Sequence, residues 1–160
     1  MSIQPMTTMP VSATMAAFRL HSKGTGVYQE VRTEGSDHVI YVDAAPVFGG
    51  NDEHPSPMSY ILGSLISCSQ VTAQLVAKDM EIELNGFEFD LTANLDTDIL
   101  CGGAIEGDPN FQDVEVNIVV ETDVSKDVFK KMYEETERRC PIYQLFSKSG
   151  SSINYNWSIK

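Results

Sequence analysis

Three cysteines carry most of the chemical potential of this chain: Cys68, Cys101 and Cys140. A thiol attacks only as its thiolate, so a reactive cysteine needs a nearby cation, a helix N-terminus or hydrogen-bond donors. Cys68 lies in the middle of a long uncharged run, 58–77, where a cysteine also serves as a small buried hydrophobe. It is about three turns into the expected helix, so the helix dipole contributes little there. The candidate activating cations are Arg19, Arg32, Arg138 and Arg139, and spacing does not choose among them. Cys140 precedes Pro141 at a break between two helical patterns, a setting more suggestive of chemistry. Cys101 stands in a turn, Cys101-Gly102-Gly103, and receives no role.

Rival constellations are weaker. His21, His38 and His54 have no ligand spacing with each other or with the cysteines, so neither a metal nor a cofactor is expected. Ser67-Cys68-Ser69 lacks the glycine flanks of a nucleophile elbow. Gly49-Gly50 and Gly102-Gly103 are too short for a phosphate cradle and read as turns. An odd number of widely spaced cysteines is not a secreted disulfide framework.

The 160 residues suit one domain with a real core, expected over 15–160. A net charge of −12 argues against nucleic acid and anionic membrane surfaces as partners. Residues 1–14, rich in Met, Ser, Thr and Pro, read as a flexible tail without the basic start and apolar run of a signal peptide. These features together predict a cytoplasmic protein with reduced thiols.

The elements that position the cysteines follow from hydropathy. Pro55 and Pro57 open a helix that meets no charge until Lys78. Ile61, Leu65, Cys68, Thr72 and Leu75 form one stripe of it. The run is long enough to span a membrane, but Ser59, Ser64, Ser67, Ser69, Gln70, Thr72 and Gln74 favour a buried soluble helix. Before it, strands are expected at 16–21, 27–32 and 38–42, with a turn over 23–26, as an antiparallel meander. After it come alternating strands at 82–95 and 111–122, helices at 126–139 and 142–148, and a last strand at 152–159. The order β-β-β-α-β-β-α-α-β is that of an α+β fold. One sheet and two short helices leave the uncharged helix under-covered, which predicts a homodimer with two such helices packed together.

These pieces resemble the OsmC/Ohr superfamily, the osmotically inducible and organic-hydroperoxide-resistance proteins. The resemblance rests on Pro55-Ser56-Pro57-Met58-Ser59-Tyr60-Ile61-Leu62 leading into Leu65-Ile66-Ser67-Cys68. Pro109-Asn110-Phe111-Gln112-Asp113-Val114 and Arg139-Cys140-Pro141 add to it, and it covers about residue 16 to the end. It implies an OsmC-like fold, an antiparallel sheet with a long central cysteine-bearing helix, as an intertwined homodimer with active sites at the subunit interface. It implies a peroxiredoxin-like reductase of organic hydroperoxides, with Cys68 matching the peroxidatic cysteine and Cys140 the resolving one, reset by an external dithiol. An apolar lining from Phe48, Tyr60, Ile142 and Phe146 would favour organic peroxides. Typical members carry a glutamate early in this helix and an arginine before it; Met58 and Val47 stand there. The alternative is a small-molecule-binding or redox-sensing protein on the same scaffold, with little turnover.

Overall fold

The computed structural model describes residues 15–160, so the tail expected over 1–14 lies outside the described residues. The chain divides into two compact units at Ile61 and Leu62. The first unit holds an antiparallel meander of β1 (Leu20–Thr25), β2 (Tyr28–Thr33) and β3 (Val39–Val42). β1 runs through Lys23 and Gly24, which spacing had placed in the turn, and leaves 16–19 outside the strand. The reason is local. Thr25 pairs with Tyr28, so Gly26 and Val27 alone make the reversal, with Gly26 supplying a φ of 61°.

Beyond β3 the loop is organised on Asp43, which is 2% exposed. Its carboxylate accepts the backbone N–H groups of Ala44 at 2.8 Å and of Asn51 and Glu53 at 3.1 Å. The Glu53 and Ala44 N–H groups, ahead of Asn51, hold this carboxyl below its ordinary range. Gly50 is required here, because a Cβ would lie 1.9 Å from the Ala44 carbonyl oxygen. The loop delivers the chain to α1 (Pro57–Asp79), whose start is capped by Ser56 Oγ accepting the Ser59 N–H at 3.2 Å. Tyr60 donates to the Tyr41 carbonyl at 2.6 Å and ties this first turn to β3.

The second unit contains the rest of α1, then β4 (Gly86–Leu95), β5 (Phe111–Glu121), α2 (Lys126–Arg139), α3 (Pro141–Lys148) and β6 (Ile153–Ile159). β5 is central, antiparallel to β4 and parallel to β6. The parallel pairing follows from the connection. α2 and α3 together carry the chain back across before β6 begins, as a parallel neighbour requires. β4 starts four residues later than its alternation suggested, after a turn in which Glu81 takes a φ of 56°. The core comprises Val114, Val116, Ile118 and Val120 of β5, Leu65, Ala73, Val76 and Ala77 of α1, and Phe129, Met132 and Phe146.

The expected stripe of α1 is only partly the buried one. Leu65 and Thr72 are buried, joined by Ser69, Ala73, Val76 and Ala77, whereas Leu75 is 51% exposed. Ser69 tolerates burial because its hydroxyl donates to the Leu65 carbonyl at 2.8 Å. α1 has the length and composition of a membrane span, with mean hydropathy 1.3 over its best window. Its fully buried Leu65, Ser69, Ala73 and Val76 make it a core helix of the second unit.

Candidate active site

The site is built where two helices meet. α2 stops at Arg139 because Pro141 follows, and the residue before a proline is pushed out of helical backbone. Cys140 accordingly adopts φ −70° and ψ 113°. Its N–H still donates to the Thr136 carbonyl at 2.8 Å, closing α2, while its Sγ accepts the Tyr143 N–H at 3.5 Å, opening α3. One residue thus caps both helices, and its sulfur is fixed at the positive end of α3. Pro141 has no N–H to give, so Ile142 and Tyr143 are the first donors of that helix.

Cys68 reaches the same helix start from α1. Burial pushes its thiol up, and the Cys140 thiol beside it adds to the rise. The Ile142 backbone N–H and the Thr72 hydroxyl, four residues on along α1, pull the other way. The net direction is upward. The first two free N–H groups of one helix thus act on the two sulfurs: Tyr143 donates to Cys140 Sγ, and Ile142 favours the thiolate of Cys68. The three cysteines are free thiols; Cys140 is buried and Cys68 half-buried. Cys101 is exposed in the 96–110 loop, which holds it by its N–H to the Thr97 carbonyl at 2.9 Å.

Around the pair lies a hydroxyl and aromatic shell. Ser69 Oγ is 3.8 Å from Cys140 Sγ and 2.9 Å from the Tyr155 hydroxyl. Tyr143 packs edge-on to Tyr155, with ring centroids 4.9 Å apart. Glu137 accepts hydrogen bonds from Tyr143 Oη at 3.1 Å and Trp157 Nε1 at 2.9 Å. Burial, then the Glu137 charge, pushes the Tyr143 hydroxyl up to about 12.

Neither Arg138 nor Arg139 is among the groups acting on the Cys68 thiol within the second unit. Arg139 pairs with Asp79 and Arg138 with Glu135, both at 2.6 Å. Arg19 pairs with Glu34 and Arg32 with Glu30, both at 3.3 Å. Val47 is 82% exposed and Met58 40% exposed. Of the expected apolar lining, Ile142 is at the thiols, whereas Phe146 turns into the core against Phe111. Phe48 and Tyr60 belong to the first unit.

Comparison with known proteins decides the family. The family model described as OsmC-like protein matches residues 49–156, a span that includes both site cysteines. The chain belongs to the OsmC-like family. An OsmC-like protein from Mycoplasma pneumoniae superposes with a TM-score of 0.76 at 17% identity, covering 90% of this chain and 97% of that one. An organic hydroperoxide resistance protein from Elizabethkingia anophelis, with crystallant-derived thiocyanate bound, gives 0.70 at 16% identity over 92% and 99%. The organic hydroperoxide resistance protein OhrB of Bacillus subtilis gives 0.59 at 14% over 89% and 98%. No curated protein matches the chain. These identities speak to the fold, which is the α+β OsmC-like fold expected from the sequence.

Several members of this candidate site in the OsmC-like chain were not legible as such. Thr72 was counted only as part of one helical stripe and as a polar residue against a membrane span, although its spacing of four from Cys68 is that of a helical neighbour. Ser69 offered a signal as a polar residue on a helix with no charged face. The Ile142 N–H carries no side-chain signature, and Tyr155 comes into place only through the parallel pairing of β6, which sets it beside Val116.

Proposed function

We propose that this OsmC-like protein is a thiol-dependent peroxidase that reduces organic hydroperoxides through Cys68 and Cys140. The observation that carries the reading is the pair of free thiols at one helix start, Cys140 accepting the Tyr143 N–H and Cys68 lying where Cys140 and the Ile142 N–H both act on it. The Cys68 thiolate attacks the terminal oxygen of the hydroperoxide. The sulfur–oxygen bond forms as the O–O bond breaks, and the alkoxide takes a proton to leave as an alcohol. Cys68 is then a sulfenic acid. The Cys140 thiolate attacks that sulfur, the S–S bond forms, and hydroxide leaves with the proton Cys140 gave up, as water. An external dithiol returns both sulfurs to thiols by exchange. The Ile142 N–H and the Thr72 hydroxyl favour the thiolate against burial, and Met58 and Val47 bring no charge to help them.

The acting form on this reading is a cytoplasmic homodimer. Val71 and Leu75 leave α1 at 61% and 51% exposed in the single chain, on a helix with no charge before Lys78. A second reading, redox sensing with little turnover, is favoured by the upward shift of the Cys68 thiol, which leaves less thiolate at neutral pH.

Single-turnover reaction with cumene hydroperoxide tests the proposal. Cys140→Ser is expected to consume about one equivalent per chain, then stall and over-oxidise, because nothing local resolves the sulfenic acid. Cys68→Ser is expected to show no burst. Parental turnover in both variants would sink the two-cysteine mechanism.

A further inference from the structure

We infer that Ser69, held by Tyr155, is a positioning residue for the Cys140 thiolate: its hydroxyl accepts from the thiol and turns to donate to the thiolate. The inference rests on the two-thiol reading above and concerns its second step, disulfide formation. Ser69 has one proton and two lone pairs. Its Oγ lies 2.8 Å from the Leu65 carbonyl, 2.9 Å from Tyr155 Oη and 3.8 Å from Cys140 Sγ. With its proton on the carbonyl, it accepts from Tyr155 through one lone pair and from the Cys140 S–H through the other. The residue is fully buried, so water does not supply substitutes.

Loss of the Cys140 proton reverses the need. A thiolate wants donors, and the Tyr143 N–H at 3.5 Å is one. Ser69 becomes the second by rotating its O–H from the Leu65 carbonyl to the sulfur. Tyr155 keeps donating to Ser69 throughout, because burial, its largest influence, pushes its own ionisation far above neutrality. Ser69 is thus held at its oxygen and free to swing at its hydrogen. The other titratable groups facing Cys140 are Cys68 from α1 and Tyr143 from α3. Glu137 from α2 is engaged by Tyr143 and Trp157, and neighbouring Arg139 by Asp79. Among these described groups, Ser69 is the one whose side-chain hydroxyl is in hydrogen-bond geometry with the sulfur.

The test titrates Cys140 by its thiolate absorbance in full-length protein carrying Cys68→Ser and Cys101→Ser. Adding Ser69→Ala is expected to raise the apparent ionisation of Cys140 by about one pH unit, the loss of one hydrogen bond to a charged group. Ser69→Thr, which keeps the hydroxyl, is expected to restore it. Tyr155→Phe is expected to shift it in the same direction by less. In the otherwise native chain, Ser69→Ala is expected to form sulfenic acid at the parental rate and the disulfide roughly tenfold more slowly. An unchanged Cys140 titration in Ser69→Ala overturns the inference. If that variant does not fold, Tyr155→Phe, which removes one oxygen, carries the same decision. Absence of any hydroperoxide reaction in the parent would instead overturn the peroxidase reading, while the titration still decides the role of Ser69.

Discussion

Cys68 is a thiol whose surroundings pull in opposite directions. Burial and its partner thiol hold the proton on; a backbone N–H and a threonine hydroxyl favour its loss, and burial wins. A raised ionisation means that the folded protein prefers the neutral thiol. That preference stabilises the fold below the unfolded-state value and fades as pH rises through the folded one. Reactivity runs the other way, because only the thiolate attacks. The burst with hydroperoxide is therefore expected to accelerate with pH up to and past 9.0, the ordinary thiol value. Stopped-flow rates against pH provide the check. A plateau well below that value would mean that a cation outside the groups named here lowers the thiol.

At the scale of elements, the site depends on how α1 is seated. Leu65 is fully buried one helical turn before Ser69 and presents its carbonyl to that hydroxyl. Leu65→Ala is expected to lower stability by about 2–5 kcal/mol, measured by denaturant unfolding of the reduced protein. Much of this architecture was legible beforehand. The alternation expected over 111–122 puts Val114, Val116, Ile118 and Val120 on one face, and all four are fully buried. α2 is capped by Ser125, which accepts the Val128 N–H at 3.4 Å. The face of α1 was harder, because a helix without charges gives no polar side to orient it, and Leu75 fell on the exposed side while Ser69 went in. Proximity of Cys68 to Cys140 came from resemblance rather than spacing, since 71 intervening positions and a parallel crossover separate cause from contact. The early end of β1 and its turn were misplaced for a smaller reason: the glycine that mattered was Gly26, not Gly24.

At the scale of the molecule, the two-thiol site sits on an apolar helix that one chain leaves half-covered. Met58, Val71 and Leu75 are exposed along α1, and burying such side chains against a second copy contributes roughly 25 cal/mol per Å² of apolar area. Light scattering at micromolar concentration is expected to give twice the chain mass of 17.7 kDa. A stable folded monomer would remove the case for a site completed at a subunit interface, though not the case for the thiol pair, both of whose members belong to the second unit of one chain.

The thiol pair itself is tested most directly by peptide mapping of the protein after one equivalent of cumene hydroperoxide, without reductant. The account predicts a Cys68–Cys140 disulfide within one chain, an intact mass lower by two hydrogens, and Cys101 still alkylatable. A dominant crosslink through Cys101, or a Cys68 that over-oxidises while Cys140 stays reduced, would contradict it.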